Sequence, residues 1–386
     1  MRGFVDGSVA VLLPAYLLAL GHGSLAVGVL STVTLLGSAL ATLAVGTWGH
    51  RAAARTLLLG AALLMAATGL AFAGLSAFAP LLLVAFLGTL NPGAGDVSVF
   101  LPLEHARLAS LSRSSDERTT LFARYSLVGS LSAAFGALAV GLPAWLAQRA
   151  GWALVDALRA MFLLYAGVGV LIWLLYRRLP LPVAGSAPST APAPLGPSRG
   201  VVVKLAGLFS LDAFAGGLVL SSLVSLWLLQ RFGLGLTAAG AFFFWSGLLS
   251  AASQLAAPWL ARRIGLLNTM VFTHIPANLC LIAAALAPNL PLALGLLLVR
   301  ALLSQMDVPT RTAYVMSVVT PPERAAAASF TTVPRSLAAA ASPALAGALF
   351  AAGWLAAPLL LCGVLKIAYD LTLWRACRGH PLHADD

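Results

Sequence analysis

The segment ALVDALRAMFLLYAGVGVLIWLLY (153–176), closed by Arg177-Arg178 and followed by LPLPVAGSAPSTAPAPLGPSRG (179–200), decides how this chain is read. The first part is apolar over a length that crosses a bilayer, whose core takes about 20 residues of helix. The Pro-, Ala-, Ser- and Gly-rich part cannot span and reads as a flexible, semi-extended linker. On the N-terminal side of the linker, apolar runs fall at approximately 4–20, 25–46, 56–76, 79–103, 119–142 and 153–176. On its C-terminal side they fall at approximately 203–229, 236–260, 267–287, 291–318, 325–352 and 354–376. The expectation is an all-α polytopic membrane protein with twelve transmembrane helices: a six-helix bundle over 1–178, a cytoplasmic linker over 179–200 and a second bundle over 201–386.

Composition agrees. Of 386 residues, 60% are hydrophobic and 9% charged, and mean hydropathy is +0.94. Soluble domains carry about 25% charged residues, so a soluble globular domain, a disordered chain and a nucleic-acid-binding domain are excluded. The net charge of +11 comes from basic residues set singly or in pairs between apolar runs, which reads as membrane topology. With both termini cytoplasmic, the inside loops hold fifteen Lys and Arg, Arg51, Arg55 and Arg324 among them, and the outside loops hold Arg149 and Arg231. Cys280, Cys362 and Cys377 are scattered and form no CxxC, so neither a disulfide framework nor a thiolate metal site is expected. The first run begins at Phe4 with no cleavable signal pattern and is expected to span. Arginine outnumbers lysine 21 to 2 amid abundant Ala, Leu and Gly, a composition that points to a bacterial gene and the inner membrane.

The halves repeat residue by residue. An offset of 206 carries Asp6 onto Asp212, Glu117-Arg118 onto Glu323-Arg324 and Gly141 onto Gly347. An offset of 211 carries Pro80 onto Pro291 and Asp96 onto Asp307. Equating Met1 with Gly207 by the first offset means that the first helix begins at once or that the start codon lies upstream. Parallel six-helix repeats are one architecture of secondary transporters.

On these residues the whole chain resembles the major facilitator superfamily. The family's loop between helices 2 and 3, G-x-L-a-D-R-x-G-R-R, is answered by Gly46-Thr-Trp-Gly-His50-Arg51-Ala-Ala-Ala-Arg55, with His50 for the aspartate and Ala53 for the glycine. The family's helix-4 motif, R-x-x-x-G-x-G, keeps Gly93 and Gly95 but has Thr89 for the arginine, and the repeat maps Thr89 onto Arg300. The antiporter motif of helix 5 is hinted at by Gly129, Gly136 and Gly141, and approached by Ser342-Pro343-Ala-Leu-Ala-Gly347 in helix 11. The resemblance implies alternating access and a central cavity lined by helices 1, 4, 7 and 10.

Charges within a bilayer cost at least about 2.5–3.5 kcal/mol each, so each needs a reason. In the tenth run, Arg300, Ser304, Asp307 and Arg311 are spaced 0, 4, 7 and 11, one stripe of a continuous helix. Arg300 with Ser304 is expected to bind an anionic or polar substrate group, or to belong to a structural ladder with Asp307 and Arg311. Arg335, mid-way along the eleventh run beside Thr331 and Thr332, is a second buried arginine and, with Thr89, a further substrate contact. Asp96 follows the helix-breaking run Asn91-Pro92-Gly93-Ala94-Gly95 and is either a proton carrier or the partner of Arg124. Asp212 and Asp6 are further proton-coupling candidates, Asp6 reading first as a dipole-favoured carboxylate in a first turn. Lys366-Asp370, Asp156-Arg159 and His274-Asn278 read as structural pairs. Thr320-Pro-Pro-Glu323 and Ser114-Ser-Asp-Glu117 read as capping boxes. The alternative is a cytoplasmic gate of Glu117, Arg118, Glu323 and Arg324, with Arg51 and Arg55; Asp307 and Arg311 are further gate or ion-pair candidates.

No nucleotide, hydrolase or metalloprotease motif is present. The chain is expected not to be an enzyme, to need no cofactor or metal, and to act as a monomer in lipid without nucleic acid. The function expected is secondary active transport of a small organic molecule, as proton-coupled efflux. One alternative is an organic-anion carrier with Arg300 and Arg335 as clamps; the other is a non-transporting membrane receptor.

Overall fold

The computed structural model describes residues 1–48, 53–93, 100–111, 115–178, 196–319 and 323–378. The described residues form helices and no strand. In the first half these are α1 (Arg2–Ala19), α2 (Ser24–Trp48), α3 (Ala54–Gly74), α4 (Phe78–Leu87), α5 (Phe100–Leu111), α6 (Ser115–Leu138), α7 (Gly141–Ala150) and α8 (Leu154–Arg177). In the second they are α9 (Arg199–Gly217), α10 (Ser221–Phe232), α11 (Leu236–Ile264), α12 (Leu266–Ala285), α13 (Leu290–Ser304), α14 (Asp307–Val318), α15 (Arg324–Ala351) and α16 (Ala357–Cys377). Among the described residues, ten helical stretches are long and apolar enough to cross a membrane. The expected fourth and eleventh spans coincide with α4–α5 and α15, outside those ten. Residues 179–195 of the expected linker lie outside the described residues.

Local chemistry sets the ends. Asn289 caps α13 by accepting from the Leu292 N–H at 3.0 Å, with proline in the first turn, as a helix N-terminus favours. Gly265 separates α11 from α12 at φ +88°, a backbone region that glycine enters without penalty.

Several expected spans are not single helices. The fourth breaks after Leu87, and the next helix among the described residues is α5, from Phe100. The seventh is interrupted between Gly217 and Ser221, and the tenth between Ser304 and Asp307. At Asn91-Pro92-Gly93 the interruption follows from chemistry, since proline gives no N–H to a helix. The carbonyls freed there find partners across the molecule: Pro92 O accepts from the Ser222 N–H at 3.1 Å, and Gly93 O from the Ser221 hydroxyl at 3.2 Å. One broken helix thus satisfies another, as irregular backbone at membrane depth requires.

Helices of the two halves meet through small residues, the means by which membrane helices approach closely. A Cβ on Gly347 would lie 2.9 Å from Gly28 Cα, and one on Gly240 2.6 Å from Ala137 O. Ser31 faces Ser222, Ser225 donates to Val11 O at 2.9 Å, and Gln230 donates to Ser24 at 2.6 Å. These contacts lie between mid-helix and the end where α1 runs into α2 and α15 into α16. Among the described residues, the halves are closed at that end.

Candidate functional site

At the opposite end, where α1 starts and α8 finishes, a cavity of about 610 Å³ opens between α1, α5, α6 and α8. That size suits a small organic ligand. Arg2, Asp6, Glu104, Arg124, Tyr125 and Tyr176 supply its polar lining. Glu104 is the hub: Arg2 pairs with it at 3.0 Å, the Tyr176 hydroxyl donates at 2.6 Å, and the Tyr125 hydroxyl donates as well. Arg2 also reaches Asp6 at 3.8 Å and donates to Tyr125 at 3.1 Å. Arg124 is exposed to this cavity. A smaller cavity of about 240 Å³ lies between the halves, lined by Gly7, Ser130, Ser221, Gln254 and Gln305 among others.

The second half carries a buried ionic network. Lys366 Nζ donates to Asp212 at 2.5 Å. Arg311 holds Asp212 at 3.3 Å and also pairs with Asp307. The Phe209 ring lies 5.5 Å from the Arg311 guanidinium carbon. Asp370 pairs with His274 Nδ1, at 3.0 and 3.1 Å from its two oxygens. All of these charged groups are at least nine-tenths buried, the condition under which a charge must be paired. Four packed helices supply them: α9, α12, α14 and α16.

Several expectations are corrected. The stripe Arg300, Ser304, Asp307, Arg311 does not run along one helix. The interruption at Gln305-Met306 starts α14 at Asp307, where an aspartate suits the positive helix end. Arg300 lies instead beside Cys280 and Cys362 and lines neither cavity. Ser304 closes α13. Arg335 is exposed rather than buried, close to Arg311. Lys366 reaches across to Asp212 instead of pairing with Asp370, and His274 takes Asp370 in place of Asn278. Helix α1 begins at Arg2, so Asp6 sits beyond the first turn and is held by Arg2 rather than by the dipole. The Thr89 hydroxyl faces the Tyr165 hydroxyl at 3.1 Å.

The Glu323 carboxylate accepts from the Gly196 and Ser198 N–H groups. Arg55 donates to the Arg177 carbonyl, within the first half. Asp96 and Arg51, the Ser114 and Thr320 caps, and the side chains of Glu117, Arg118 and Arg324 lie outside the described residues. The pair Asp156–Arg159 forms at 3.4 Å, with Arg159 also donating to Ser76 at 2.7 Å.

The Glu104 hub was missed because Arg2 counted as loop charge and Glu104 fell just past the fourth run. An acid between Pro102 and His105 at the edge of an apolar stretch was the available signal.

Comparison with known proteins agrees with this architecture. The family profile of the Major Facilitator Superfamily matches residues 1–305. The chain is 27% identical over 385 residues to "Uncharacterized membrane protein YJR124C" of Saccharomyces cerevisiae, covering 90% of this chain and 85% of that one. Its fold is similar to that of the xylose transporter XylE from E. coli in an inward open conformation (TM-score 0.72, 14% identity, 97% and 93% covered). It is also similar to the nucleoside transporter NupG (0.71, 14%, 98% and 98%) and the human organic anion transporter MFSD10 (0.62, 19%, 96% and 97%). At these identities the likeness to solved structures carries the fold alone. The chain belongs to the Major Facilitator Superfamily and is an integral membrane transporter.

Proposed function

We propose that the protein is a secondary active transporter that exports a small organic molecule in exchange for protons by alternating access. The observation that carries the reading is the asymmetry of the molecule. Its halves are packed together at one end, while at the other a cavity lined by two arginines, two carboxylates and two tyrosines opens within the first half, between α1, α5, α6 and α8. Asp6 and Asp212 are the described proton-coupling candidates, and Asp96 is the third. Each of the two is held by a cation in this state, Asp6 by Arg2 and Asp212 by Lys366 and Arg311. Protonation of either carboxylate would release its partner and loosen the helices it joins. The fifteen-to-two distribution of Lys and Arg supports cytoplasmic termini, and with them a cavity that faces the cytoplasm.

A second reading, an organic-anion carrier, is favoured by Arg335. It is exposed beside an ion network whose own cations are already spent on carboxylates, and its planar fork fits a carboxylate or phosphate.

The test uses purified protein in liposomes with an imposed pH difference and radiolabelled uridine, D-xylose and succinate as probes. Accumulation of one probe beyond equilibration, collapsed by a protonophore, supports the reading. Equilibration of a probe with no response to the pH difference contradicts proton coupling, and preference for succinate would favour the anion reading.

A further inference from the structure

The ionic network of the second half closes on itself with one member left over. Lys366, Asp212, Arg311 and Asp307 form a chain of two cations and two carboxylates in mutual contact. Asp370 stands outside that balance. It is 1% exposed, and among the described residues the group that pairs with it is His274, itself 4% exposed. Lys366 lies one turn earlier on the same helix, but its ammonium is committed to Asp212.

The other charged groups packed around the pair leave this unchanged. Arg311 and Asp307 on α14 satisfy one another and Asp212 on α9. Arg300 on α13 lies by the two cysteines, and the exposed Arg335 on α15 interacts with Arg311, Asp212 and Asp307 rather than with Asp370. The Tyr369 ring stands 6.4 Å from the imidazole. A neutral imidazole facing an ionised carboxylate here would leave one negative charge buried without compensation, a state that costs several kcal/mol or more.

We propose that His274 and Asp370 together form a binding site for one exchangeable proton, distinct from Asp6, Asp96 and Asp212. The inference rests on the proton-coupled reading above for its use in transport, but not for the site itself. Nδ1 faces the carboxylate, and an ionised carboxylate can only accept, so with Asp370 ionised the hydrogen between them sits on Nδ1. The exchangeable proton, taken from water, therefore enters at Nε2 and turns the imidazole into an imidazolium whose charge Asp370 balances. Its departure leaves Asp370 as an unbalanced anion one helical turn from Lys366, which then has two carboxylates competing for it. Loss of the proton thereby weakens the tie between α16 and α9 at Asp212, linking protonation to helix packing.

The test is nitrogen NMR of the purified full-length protein labelled with 15N-histidine, recorded in detergent micelles between pH 9 and pH 5 without any substrate. The chain has six histidines, and the signal absent from H274Q identifies His274. If H274Q does not fold, the signal that moves in D370N identifies it instead. The expected result is that the His274 Nε2 signal passes from its unprotonated to its protonated position over this range, and that D370N moves the midpoint down by roughly one pH unit or more, because an opposite charge favours the charged form. An Nε2 signal fixed at the unprotonated position throughout would overturn the proposal, as would a midpoint unchanged in D370N. If His274 titrates but imposed pH differences drive no transport, the coupling reading fails while the proton site stands.

Discussion

Lys366 shows at the residue scale what helix periodicity does and does not reveal. Its spacing from Asp370 is an i,i+4 match, yet its ammonium crosses to Asp212 on α9. Removing one partner of a buried pair leaves an uncompensated charge, at a cost of about 3–5 kcal/mol. Lys366→Met should therefore lower thermal stability in detergent sharply, and adding Asp212→Asn should restore much of the loss. Equal melting temperatures for Lys366→Met and wild type would show that Arg311 alone satisfies Asp212. At the other cavity, Glu104→Gln keeps shape but loses the charge that Arg2 pairs with at 3.0 Å. Arg2 keeps Asp6 at 3.8 Å, so a smaller loss is expected, about 1–3 kcal/mol by the scale of hydrogen bonds to charged groups. The same unfolding measurement compares the two. Charged residues within the spans could be found from sequence because intramembrane charge is rare. Their partners could not, since partners are chosen by neighbouring helices. Asp307–Arg311 and Asp156–Arg159 were legible because both members share a helix; Lys366–Asp212 and His274–Asp370 were not.

At the scale of elements, the glycines carry the contact between halves. A Cβ at Gly28 would collide with the Pro343 carbonyl oxygen and lie 2.8 Å from Gly347 Cα. Backbone cannot retreat from such a contact as a flexible side chain can, so Gly28→Val should disfavour the closed end and shift the population toward its open form. A cysteine placed at Ala344, whose N–H meets Thr32 across this seam, should then react faster with a water-soluble maleimide. An unchanged rate would mean that the seam is not what holds that end shut. The interruptions of the spans were legible unevenly. Asn91-Pro92-Gly93 announces a break through its own chemistry. Gln305-Met306 carries no breaker, and the turn there is set by tertiary packing, which overrides helix propensity.

At the scale of the molecule, membrane class and the paired architecture were legible from composition, hydropathy and the internal repeat, because bilayer thickness imposes a length on every span. The closed end was not, since a carrier's conformation is a choice among states of one sequence. Orientation is checked by single cysteines at Ser189 and at Arg149 in a background lacking Cys280, Cys362 and Cys377. The first should label from the cytoplasm and the second from outside; the reverse pattern would invert the topology. Alternating access itself is tested most directly by spin-label distances in that background. One pair, at Thr47 and Ile264, spans the halves at the end carrying the termini; the other, at Ala150 and Ala352, spans them at the closed end. Between pH 8 and pH 5 the account predicts two populations at each pair that change in opposite senses, the first pair shortening as the second lengthens. One unchanging distance at both pairs, under every condition, would contradict it.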